Sequence, residues 1–74
     1  MKELFMEAVE KSGYGKRVKL VDVRDLKTVS IMIVSGIFGE DALIITDKIK
    51  ELAGIKTAVS MESGKAYIRM GEGA

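Results

Sequence analysis

The stretch TVSIMIVSGIFGEDA, residues 28–42, decides the fold because it joins a strand, a glycine turn and the start of a helix. Residues 28–34 are rich in β-branched side chains, which favour strands. Successive side chains of a strand alternate between its two faces. Both faces are apolar here, one row being Val29, Ile31 and Ile33 and the other Met32 and Val34. This pattern is typical of a central strand, or of a strand whose second face meets a partner.

Two amphipathic helices are predicted, one before this strand in the sequence and one after it. The first covers residues 2–12, with an apolar stripe of Leu4, Phe5, Ala8 and Val9. The second runs from Glu40 to Ala53, and Gly54 is placed to end it in a left-handed conformation. The inward stripe of the second helix is predicted to be Ala42, Ile45, Ile49, Leu52 and Ala53.

Three further strands complete the pattern. Residues 17–23 alternate with a period of two until Leu20 and Val21, where two adjacent apolar residues predict a bulge or a strand that is buried on both faces. Residues 55–61 and 66–70 are predicted to form a hairpin around residues 62–65, and residues 71–74 a flexible tail. The order α-β-β-α-β-β predicts one α+β domain over residues 1–74, with two helices on one face of a four-stranded, mostly antiparallel sheet.

Size and composition point to an additional source of stability. The chain has 74 residues, and a chain this short buries only about 60% of its unfolded surface on folding. It contains neither Cys nor His, which excludes disulfides and makes a structural zinc ion implausible. We therefore expect another protein surface to cover part of the chain, either a second copy in a homodimer or a different protein partner.

Charge gives no indication of nucleic-acid or membrane binding. The formal net charge is +1, with 12 basic and 11 acidic residues spread along the chain. Nucleic acids and anionic membranes attract a clustered basic field instead. The start of the chain carries Glu3, Glu7 and Glu10, unlike a secretory signal peptide. We predict a cytoplasmic protein that binds neither nucleic acid nor membrane.

The side chains that perform most catalysis are missing. Without Cys or His, the chain has no soft metal ligands and none of the common nucleophile–base pairs. Adjacent acids at Glu40 and Asp41 suit the positive end of a helix better than a hard cation, which takes six or more oxygens. We expect no catalytic residues, no metal site and no cofactor.

The segment 28–70 resembles a heavy-metal-associated domain, the ferredoxin-like fold of copper chaperones. The matching residues are VSGI at 34–37, KI at 48–49, LAGI at 52–55 and SMESGKAYI at 60–68. The last quarter of such a domain, a helix ending in a Gly-Tyr turn and a final strand, resembles residues 8–14 and 17–23 at the start of this chain. The resemblance therefore implies a circular permutation with its new joint at residues 24–27.

The functional motif of that family is absent. Ile37, Gly39 and Ala42 occupy the positions of its Met-x-Cys-x-x-Cys sequence, so metal transfer is not carried over to any residue here.

We therefore predict a noncatalytic module for protein interaction or self-association. Met32, Val34 and Tyr67 are the predicted contact residues, with the opposite row of the 28–34 strand as the alternative face. A second hypothesis is a small-molecule sensor resembling ACT regulatory domains. In that case Ser35, Gly36, Phe38 and Gly39 would form the ligand loop.

Overall fold

The computed structural model describes residues 1–74, the whole chain. Two helices and four strands follow one another in the order α1 Lys2–Lys11, β1 Lys19–Asp25, β2 Val29–Ser35, α2 Gly39–Ala53, β3 Thr57–Glu62 and β4 Lys65–Gly71. The prediction of an α+β fold with two helices and a four-stranded antiparallel sheet is confirmed. This architecture is compatible with a ferredoxin-like type.

The sheet has the strand order β1-β2-β4-β3, and every neighbouring pair is antiparallel. The register between β1 and β2 shifts between Leu20 and Asp22, so the predicted bulge is confirmed. The turn between β3 and β4 consists of Ser63 and Gly64, both with positive φ (52° and 76°), as in the tight turns that match strand twist. Of the residues 71–74 that were predicted as a tail, Gly71 belongs to β4, and the Gly73 N–H donates to the Thr28 carbonyl oxygen.

The core lies between the helices and one face of the sheet. Phe5, Ala8 and Val9 of α1 join Ala42, Ile45 and Ile49 of α2 in a single buried cluster. The sheet contributes to this cluster the alternate residues Met32, Val34, Ala66, Ile68 and Met70. Burial of these apolar side chains is the main force that holds the helices on the sheet.

The assignment of Met32 and Val34 to a partner-binding row is therefore wrong. Both side chains have no exposed surface because they pack in the core cluster. The alternative row, with Ile31 and Ile33, lies on the open face, as the alternation of a strand requires. Ile33 is nevertheless only 3% exposed.

Glycines set the ends of β2 and α2. Gly36 follows β2 with φ +90°, and a side chain there would overlap the carbonyl oxygen of Arg17. Gly54 ends α2 in the predicted left-handed conformation, with φ 65°, and its N–H donates to the Lys50 carbonyl oxygen at 2.8 Å.

Neither helix is long and apolar enough to cross a membrane.

Candidate protein-interaction surface

A polar cluster fixes the loop that precedes α2. The Phe38 N–H donates to Asp41 Oδ2 at 2.8 Å, which satisfies one of the free donors at the start of the helix. Arg17 Nη2 lies 3.4 Å from the same oxygen, and the Arg17 guanidinium stands 5.3 Å from the centre of the Tyr14 ring. These contacts tie the segment after α1 to the start of α2.

The same contacts shift two pKa values in opposite directions. The Phe38 N–H is the largest cause that lowers the pKa of Asp41, and the Tyr14 hydroxyl adds to the effect. The Asp41 carboxylate in turn raises the pKa of Tyr14, chiefly by accepting the hydrogen bond of its hydroxyl. Each shift stabilises the charge state that both groups already have at neutral pH. The cluster therefore has the properties of a helix cap.

The four residues of the predicted ligand loop lie around this cap. Ser35 ends β2, Gly36 makes the turn, and Gly39 begins α2. Phe38 is 75% exposed, so its ring points away from the core. Neither concavity in the surface is lined by any of these four residues.

Three large apolar side chains lie exposed near one corner of the molecule. Phe38 is 75% exposed, Leu43 58% and Met61 45%. A side chain built at Gly39 would lie 3.8 Å from the Met61 side chain, which places the start of α2 beside the end of β3. Leu43 is one turn after Gly39 on the same helix face. We call Phe38, Leu43, Met61 and the free edge of β3 the β3 corner.

The two outer strands of the sheet differ in how they are protected. Natural edge strands avoid unwanted pairing by means of bulges and charged side chains. Strand β1 has both, since it contains the bulge and its sequence KLVDVRD holds four charged residues. Strand β3, with the sequence TAVSME, pairs with β4 through all six residues without a register shift and holds one charge, Glu62. The free edge of β3 is therefore the one suited to pairing.

The open face of the sheet brings Tyr67 next to the second isoleucine row. Ile33 lies between Asp22 on β1 and Tyr67 on β4, while Ile31 lies between Arg24 and Arg69. Tyr67 is half-buried, and charged residues flank the isoleucines. The open face therefore mixes charged side chains with the isoleucines of β2.

The largest concavity is a cleft of about 720 Å³ at the opposite end of the sheet. Its apolar lining consists of Met1, Leu26, Val29, Ile55 and Met70. Lys27, Lys56 and Glu72 also line it. This cleft was not predicted from the sequence, and it forms where the β1–β2 and α2–β3 connections meet Met1 and the end of β4.

Comparisons with known proteins add no family. No protein-family model matches the chain, and no curated protein matches it significantly.

Phe38 was predicted from the sequence only as part of a ligand loop, and Leu43, Met61 and the β3 edge were not predicted. One signal was available in α2, because Leu43 and Ile44 are apolar yet stand outside the inward stripe. A helix with one buried face seldom needs apolar residues in the remaining positions. The other signal was the shortage of charge in residues 57–61, which is uncommon for an outer strand.

Proposed function

We propose that this chain is a noncatalytic protein-interaction module that binds its partner through the β3 corner. The observation that carries this proposal is the exposure of Phe38, Leu43 and Met61 beside an unprotected strand edge. Contiguous exposed apolar surface is typical of protein-interaction sites. An aromatic anchor such as Phe38 is also the kind of residue that contributes strongly to binding energy.

The polar cluster supports the same function by holding Phe38 in place. The backbone N–H of Phe38 donates a hydrogen bond to Asp41, and Asp41 forms an ion pair with Arg17. A side chain presented from a fixed backbone loses less conformational entropy when a partner binds. The hydrogen bond from the Phe38 N–H also lowers the pKa of Asp41, which extends to more acid pH the range in which the ionised carboxylate holds this N–H.

We further propose that the fold is a permuted ferredoxin-like sandwich. In that fold the first and last strands are antiparallel neighbours, which a short connection could join. The antiparallel pairing of β1 with β2 across residues 26–28 supports this origin. The old termini would then lie at the β1–β2 hairpin, far from the β3 corner.

Site-specific photo-crosslinking in the cells that produce the chain tests the proposed function. A photoreactive phenylalanine derivative replaces Phe38 in one variant and Leu26 in the control. Leu26 is 60% exposed but lies at the opposite end of the sheet. We expect discrete protein adducts from position 38 and few from position 26, because only the first lies in the β3 corner. Equal labelling at both positions, or no adduct at position 38, would refute the proposal.

A further inference from the structure

We infer that the β3 edge pairs with the β3 edge of a second copy, antiparallel and centred on Val59. This inference rests on the proposed function, since it names the partner that occupies the β3 corner. The paired strands would form one continuous eight-stranded sheet with the helices of both copies on the same face. A two-fold axis perpendicular to the sheet, midway between the two Val59 residues, relates the copies, which makes the interface isologous.

The backbone groups available for this pairing are defined by the bonds to β4. The Gly71 N–H donates to the Lys56 carbonyl oxygen, so the polar groups of Lys56 point toward β4. Backbone direction alternates along an antiparallel strand, and Thr57, Val59 and Met61 therefore point their N–H and C=O groups outward. These are the groups that a second copy must satisfy.

Side-chain alternation restricts the register of the pair. With a perpendicular two-fold axis, opposing residues must belong to the same face of the sheet. Centring on Val59 meets this condition, because Val59 then faces Val59 of the second copy and Thr57 faces Met61 of the second copy. Each of these pairs exchanges two hydrogen bonds, so the three pairs add about six. Ala58 and Ser60 face each other between them without a steric or electrostatic conflict.

Charge complementarity selects this register over the next one. Centred on Val59, Lys56 of each copy faces Glu62 of the other, which gives two opposite-charge pairs. Neither Lys56 nor Glu62 takes part in an ion pair within the chain. Centring on Ser60 would instead place Glu62 opposite Ala58. The pairing also covers Met61 and brings Leu43 toward the α2 helix of the second copy.

Engineered cysteines test the register on a chain that has no natural Cys. Hydrogen-bonded antiparallel partners have Cα atoms about 5.5 Å apart, which a disulfide can bridge. Val59→Cys is therefore expected to form a covalent dimer under mild oxidation. Ser60→Cys is the matched control, since its two copies would be about 8 Å apart in this register. No Val59→Cys dimer, or one from Ser60→Cys at the same yield, would overturn the inference.

Charge reversal provides a second test without cysteine. Lys56→Glu and Glu62→Lys each create two like-charge pairs. Each is expected to raise the dissociation constant of the dimer about tenfold, as measured by analytical ultracentrifugation. An equimolar mixture of the two variants restores both opposite-charge pairs, so its association should return to the natural level. If the mixture associates no better than either variant alone, the Val59 register is wrong. Position-38 adducts only with other proteins, from a chain that stays monomeric, would refute the second copy but not the proposed function.

Discussion

At the scale of single residues, β2 shows what alternation determines and what it leaves open. The two rows of apolar residues were predictable, because a strand places successive side chains on opposite faces. The row that faces the helices was not, since both rows carry large apolar side chains. The structure gives this role to Met32 and Val34, which have no exposed surface, while Ile31 is only half-buried on the open face.

This assignment predicts unequal effects for neighbouring substitutions. Met32→Ala should lower the free energy of unfolding by about 2–5 kcal/mol, because it leaves a cavity in the core. Ile31→Ala removes a half-buried side chain and should cost clearly less. Urea denaturation of the two variants measures the difference. A larger loss for Ile31→Ala than for Met32→Ala would contradict the face assignment.

At the scale of elements, the start of α2 depends on contacts between residues distant in sequence. The placement of Glu40 and Asp41 in the first turn was predictable from the helix dipole. The contacts of Asp41 with Arg17 and Tyr14 were not, because they depend on how the end of α1 packs against α2. The observed strand ends differ from the predicted ones by one or two residues for a similar reason, since pairing with a neighbouring strand determines where a strand begins.

Because of the cap, the stability of the fold is expected to vary with pH in the acid range. Folding lowers the pKa of Asp41 below its ordinary value of 3.8, so the carboxylate stabilises the fold above that pH. This contribution is lost as the pH falls from 3.8 through the pKa of the folded state. Tyr14→Phe removes the hydroxyl that helps lower this pKa and should move it partly back toward 3.8.

Carboxyl NMR titration of Asp41 in the natural chain and in Tyr14→Phe measures this change. The pKa in the variant should stay below 3.8, because the Phe38 N–H is the larger cause and is retained. An Asp41 pKa unaltered by Tyr14→Phe would show that the hydroxyl does not act on it.

At the scale of the whole molecule, sequence patterns predicted the architecture better than the proposed interaction surface. Glycine turns, alternation and helical stripes depend on local spacing, which a sequence displays directly. The β3 corner combines Phe38, Leu43 and Met61 from separate elements, and only the folded chain brings them together. Its recognition therefore needed the position of Met61 beside Gly39 and the place of β3 at the edge of the sheet.

Native mass spectrometry of the gently purified chain most directly tests whether the β3 corner binds a protein. The double variant Phe38→Ser and Leu43→Ser removes two exposed apolar side chains of the corner, while Leu26→Ser changes an exposed leucine elsewhere. We predict that the natural chain and Leu26→Ser carry a second polypeptide and that the double variant is a bare monomer. Retention of the second polypeptide by the double variant, or bare monomers in all three, would contradict a binding role for the β3 corner.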